Sequence, residues 1–116
     1  MSFRRTIDQW PSRPSVRGAA VISEDGLLVH DHLGAGLDGE AIAALAVTLH
    51  RHAGQFGTAA AGGGLGSVVL EFDQGPAILR SLDDRHTLVV LAYPDRDLGP
   101  LLFDIRSARA ALARTL

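Results

Sequence analysis

Residues 16–29, read V-R-G-A-A-V-I-S-E-D-G-L-L-V, constrain the fold of this chain more than any other stretch. Two short apolar runs flank Ser23-Glu24-Asp25-Gly26, a polar turn ending in Asp-Gly, and that combination predicts a β-hairpin with strands over 16–22 and 26–32. Gly18, Ala19 and Ala20 leave little bulk on the first strand, so a neighbouring backbone or helix can approach it closely. The turn carries no chemistry of its own. A chain that opens this way builds a sheet first and must then cover it.

The cover has to be aliphatic. Hydrophobic residues make up 47% of the 116 and aromatics only 5%, so the core is expected to be rich in Ala, Val, Ile and Leu. That length suits one domain. Residues 2–10 are predicted as a short helix with Phe3, Ile7 and Trp10 on one face, stopped by Pro11 and Pro14, which lead into an extended link. After the hairpin, Asp38 is placed to cap a helix running from about Gly39 to Phe56, with Glu40 in its first turn. Ile42, Leu45, Ala46, Leu49, Ala53 and Phe56 form its expected core stripe. Its first half is apolar all round, so Ala43 and Val47, off that stripe, are expected to meet a partner chain.

Small residues 59–66 connect to three further strands, over 67–72, 77–82 and 86–93. Leu88-Val89-Val90-Leu91-Ala92 does not alternate, which marks the last of these as a central strand covered on both faces. Pro94-Asp95-Arg96-Asp97 ends it and caps a helix from about Leu98, whose core stripe is Leu101, Ile105, Ala108 and Leu112, with Asp104, Arg109 and Arg114 toward water. The order is (α)ββαβββα, and short turns between strands make an antiparallel α/β sandwich with helices on both faces.

Whole classes of function fall away on composition. A net charge of −2 leaves no electrostatic footprint for nucleic acid. The absence of cysteine removes thiolate metal sites, disulfides and cysteine nucleophiles together. No apolar run approaches the ~18 residues of a membrane span, and the first ten residues lack the apolar stretch of a signal peptide, so a cytoplasmic protein is expected.

Candidate chemistry is equally thin. His30 and His32 can share a strand face, but two ligands fall short of a metal site. His50 and His52 diverge on a helix, and His86 stands alone. The Gly62–Gly66 run lacks the Lys and the strand-to-helix context of a phosphate loop, and Ser67 lacks the glycine placement of a nucleophile elbow. The carboxylate pairs Glu24/Asp25, Asp83/Asp84 and Asp95/Asp97 lie where turns and helix starts favour acids. Arg4, Arg5, Arg13 and Arg17 make a thin basic segment that solubility explains, contact with an acidic partner being the alternative. No catalytic residue, metal or cofactor is expected.

Three segments in order carry a family resemblance: the hairpin, the helix start D-G-E-A-I-A-A-L-A at 38–46, and Y-P-D-R-D-L-G-P-L-L-F-D-I-R at 93–106. Together they resemble the Roadblock/LC7 family over residues 16–116, with 1–15 as a short N-terminal helix or arm. The nearest likeness is to the short bacterial members encoded beside small Ras-like GTPases, some in operons with a sensor kinase. The resemblance implies a profilin-like sandwich with a five-stranded antiparallel sheet. It also implies a homodimer formed through the central helix and the strand after it, with Ala43, Val47, His50, Val68, Leu70 and Phe72 as contacts. Arg51, His52 and Gln55 become the candidate contacts to a small Ras-like GTPase. The implied role is that of a non-catalytic signalling adaptor or regulator, with a sensor-kinase complex as a further partner and any membrane association made through partners. Family members usually open with a longer helix than the two prolines allow here. A small-molecule sensor module is the competing reading, and it needs a cavity with convergent polar groups.

Overall fold

In the computed structural model, which describes residues 2–94 and 97–116, the hairpin stands where the Asp-Gly turn predicts it. Strand β1 spans Val16–Ser23 and β2 spans Leu28–His32. The turn takes one residue more than expected: Ser23 N–H donates to Leu27 O at 2.9 Å, and Leu27 N–H donates to the Ser23 hydroxyl at 3.2 Å. That exchange keeps Leu27 out of the ladder, so β2 begins at Leu28. Gly26 holds a positive φ of 80°, and a Cβ there would lie 3.4 Å from Ala44 Cα. The hairpin tip is therefore packed directly on a helix.

The remaining elements are α1 (Phe3–Gln9), α2 (Gly39–Ala59), β3 (Ser67–Leu70), β4 (Ala77–Ser81), β5 (His86–Ala92) and α3 (Leu98–Arg114). This is the (α)ββαβββα order of the sequence reading. All neighbouring strands are antiparallel, in the spatial order β2-β1-β5-β4-β3. β5 sits in the middle, and Leu88, Val89 and Val90 are buried on both faces as the non-alternating run requires.

The two faces hold separate cores. On one, α1 and α3 bring Phe3, Ile7, Trp10, Leu101, Ile105 and Leu112 onto Val21, Leu88 and Val90. On the other, α2 lies on Ala20, Ile22, Leu79 and Val89. Ala20 thus gives α2 its room, whereas a Cβ on Gly18 would press on Leu33 and on the backbone oxygen of His32 rather than on a helix. The link after α1 is not simply extended: Trp10–Ser12 continue as a turn of 3₁₀ helix with Pro11 at its start, where a missing N–H is harmless.

β3 stops at Leu70 rather than Phe72, because Leu70 pairs with Ala77, the first residue of β4. Residues 71–76 then form a turn pinned to the sheet. Ala92 N–H donates to Pro76 O at 2.9 Å, and Arg17 donates to Gln74 O at 3.1 Å. Gly75 has φ +114°, and a Cβ there would fall 2.0 Å from Ala92 O. Replacing it forces both backbone strain and a steric clash. The Gly75→Ala variant is expected to lose at least ~3 kcal/mol of stability in urea unfolding; a loss within experimental error would contradict this account of the turn.

Candidate interaction face on the central helix

α2 is started by Asp38, whose carboxylate accepts from Ala41 N–H at 3.1 Å, with Glu40 in the first turn favouring the helix dipole. The helix runs to Ala59, three residues past the expected end. There Ala60 N–H donates to Phe56 O at 2.9 Å and Gly62 N–H to Gly57 O at 2.8 Å, closing the last turn. It packs over β1 and β2.

Which face of α2 turns inward corrects the sequence reading. Ala43 and Ala46 are buried against the sheet, with Ile42 and Val47 partly buried beside them. Leu45, Leu49 and Phe56, expected in the core, are 63%, 42% and 76% exposed. Periodicity shows that a helix has an apolar stripe; it does not say which of two apolar faces goes in. The alanines go in because they let the helix close on Ala20. Ala43 is wholly buried within its own chain, so it is unavailable as a contact for a second chain, and Val47 points the same way.

Two of the large residues turned outward, Leu45 and Leu49, form part of one wall of an apolar groove of about 190 Å³. Ile42, Leu45 and Leu49 line it from the helix; Leu70, Phe72, Leu79 and Leu91 line it from the sheet. Of the expected contacts, Leu70 and Phe72 therefore lie at this groove, Phe72 being 62% exposed, while Val68 is partly buried under α2. Leu45, Leu49 and Phe56 were missed as surface residues. The available signal was size: the small residues of α2 match the small residues of β1.

Arg51, His52 and Gln55 are exposed on the solvent side of α2. Arg51 and His50 also border a separate polar cleft of about 240 Å³, shared with Glu24, Asp83, Asp84 and His86. Burial lowers the His50 pKa below 6.5, and its Nε2 is buried without a hydrogen-bond partner among the described residues.

The other candidate groups are held in local structure. His30 Nε2 lies 2.7 Å from Asp8 Oδ1 and His32 Nδ1 3.7 Å from the same oxygen, while Arg4 donates to His30 Nδ1 at 3.1 Å. The His30 hydrogen bond holds the Asp8 carboxyl below its usual range. Among the described residues no three His, Cys, Asp or Glu side chains are arranged to hold a metal ion. His86 does not stand alone: its Nδ1 is 2.9 Å from Asp83 Oδ1. Burial works to raise the Asp83 pKa, but the Arg85 N–H and the His86 ring outweigh it and hold the group low. Asp97 caps α3 by accepting from Gly99 N–H at 3.0 Å, whereas Asp95 lies outside the described residues. Arg109, expected in water, donates to Ser81 O at 2.7 Å, and Asp104 pairs with Arg13.

The fold and this groove define a class: a profilin-like sandwich whose central helix keeps an apolar face uncovered. The family model of the Roadblock/LC7 domain matches residues 5–92, and the chain belongs to that family. Among solved structures it is similar to Myxococcus xanthus MglB, with a TM-score of 0.87 at 15% identity over 97% of this chain and 92% of that one. It is also similar to a Roadblock/LC7 domain from Streptomyces avermitilis, with a TM-score of 0.75 at 27% identity over 95% of this chain and 94% of that one. Schizosaccharomyces pombe profilin shares the fold, with a TM-score of 0.62 at 18% identity over 95% and 94% of the two chains. No curated protein matches the sequence significantly.

A histidine whose folded pKa is lowered stabilises the fold fully above its unfolded value and loses that contribution as pH falls. Stability is therefore expected to fall as pH drops through and below about 6.5, the ordinary histidine value. His50→Gln should flatten that slope in urea unfolding; an identical slope in both proteins would contradict it. Asp8 and Asp83, both lowered from 3.8, act only at more acidic pH.

Proposed function

We propose that this chain is a non-catalytic adaptor or regulator that works as a homodimer and binds a small Ras-like GTPase in a signalling pathway. Residues 16–116 are its working domain and 1–15 its short N-terminal arm, of which Phe3, Ile7 and Trp10 are buried in the core. The observation that carries the proposal is the apolar groove between α2 and the sheet, with Leu45, Leu49 and Phe56 exposed along the same helix. Exposed large side chains gathered at one groove mark an interaction site rather than ordinary surface.

The sheet edges favour a second copy of the chain as the partner. β2 is one edge, and it carries His30, Asp31 and His32 with a register shift opposite Val21 and Ile22, features that discourage strand addition. β3, Ser67-Val68-Val69-Leu70, is the other edge and has no charge and no proline. A second copy can pair on β3 while its own α2 fills the groove, and one symmetric contact then covers both. The interface of this reading uses Leu45, Leu49, Phe56, Leu70 and Phe72, with Val68 beneath; of the sequence-based set, Ala43 and Val47 drop out and His50 lies at its flank.

Arg51 and Gln55 remain exposed on α2 in this arrangement and, with His52 at the edge of the interface between Leu49 and Phe56, are the proposed contacts to the GTPase. Binding would bias its nucleotide state through differential affinity for one conformation. A sensor-kinase complex is a further proposed partner, and the setting is cytoplasmic, reaching the membrane only through partners. The sensor-module reading gains nothing from the groove, whose lining is apolar throughout and offers no group to orient a small ligand.

Light scattering at micromolar concentration should give twice the chain mass. Leu45→Asp with Phe56→Asp, both on the surface of the single chain, should weaken self-association by roughly a hundredfold without unfolding it. Arg51→Glu with Gln55→Ala should leave the dimer intact but weaken binding to the GTPase in at least one nucleotide state. A protein that stays monomeric, or that ignores the GTPase in both states, would overturn the respective half of the proposal.

A further inference from the structure

Charge is segregated between the two layers of the molecule. Residues 3–15 and 98–116, the α1/α3 layer, hold six of the eleven arginines but only two of the thirteen carboxylates, a formal charge of +4 against −6 for the rest of the chain. Both carboxylates are already engaged, Asp8 with His30 and Asp104 with Arg13. Arg5, Arg106 and Arg114 are exposed and have no ion-pair partner among the described residues, and exposed Arg4 meets only the His30 ring and the face of Phe3. On α3, Phe103 projects from the same outward side as Arg106 and Arg114 and is 65% exposed.

We infer that the α1/α3 face is an electrostatic docking surface for an acidic segment of a partner protein, steered by Arg4, Arg5, Arg106 and Arg114 and anchored on Phe103. The occupant follows from charge complementarity and from what α3 has left to offer. Exposed guanidinium groups on the same layer as an exposed ring suit carboxylates flanking an apolar side chain, since arginine and aromatic residues are the usual anchors of protein interfaces. An anionic membrane fits less well. An interfacial helix must commit its apolar face to the lipid, and that face of α3, Leu101, Ile105 and Leu112, is spent on the core. This surface lies on the opposite side of the sheet from α2, so it stands or falls independently of the proposed dimer and its GTPase contacts.

The test titrates the full chain with a fluorescent acidic peptide, glutamates around one central leucine, and separately mixes it with phosphatidylserine–phosphatidylcholine vesicles. The peptide should bind, with affinity falling roughly tenfold as salt rises from about 50 to about 200 mM, and amide shifts should map to α1 and α3. Arg106→Glu with Arg114→Glu should weaken binding by at least about tenfold, and Phe103→Ser several-fold. Arg51→Glu with Arg85→Glu, the same charge change elsewhere, should leave it within about twofold. Absence of peptide binding, equal loss in both double variants, or sedimentation with vesicles in preference to the peptide would each overturn the inference. Light scattering on the α3 variants should show self-association unchanged, which separates failure here from failure of the dimer.

Discussion

Close contact between small residues on α2 and β1 organises one whole side of this protein. Ala43 and Ala46 are buried in one cluster with Ala20, Ile22, Leu79 and Val89, so the helix sets small side chains against the sheet. The same rotation of α2 that buries the alanines sends Leu45, Leu49 and Phe56 outward. The helix settles over β1 and β2, and the surface of β3, β4 and β5 next to it becomes one wall of an apolar groove. A bulkier residue at any of the three alanines would lift or turn the helix, because a packed interior has no spare volume to absorb it.

The sheet side of the groove also depends on backbone geometry. Phe72 is carried by a turn that the sheet fixes at Pro76 and Gln74, and Gly75 makes an approach to Ala92 that no side chain permits. The groove is thus framed by a helix set by alanine packing and a turn set by a glycine. On the other face, α1 and α3 spend their apolar residues on the core and leave arginines outside. The two layers present opposite surface chemistry: apolar beneath α2, cationic over α1 and α3.

Much of this was legible in the residues. The Asp-Gly turn placed the hairpin, the unbroken apolar run 88–92 identified the central strand, and Asp38 and the segment 94–97 marked two helix starts. Leu70 and Phe72, named as dimer contacts from the family resemblance, line the groove. The orientation of α2 was not legible, because the helix is apolar on two faces and period alone ranks them by bulk. Only the burial of Ala43 and Ala46 in one cluster with Ala20 and the sheet, which joins distant segments, reverses that ranking. His86 with Asp83 and Arg109 with Ser81 O escaped notice for a related reason: each depends on how a turn or a strand end is placed in space.

The central claim is that the groove and the β3 edge are covered by a second copy of the chain. Amide hydrogen exchange followed across protein concentration tests it most directly, because β3 and β2 are the two edges of one sheet and serve as internal controls for each other. Exchange across 67–70 and along the outward side of α2 should slow as concentration rises, while β2 stays unchanged. Equal and concentration-independent exchange at both edges would contradict it.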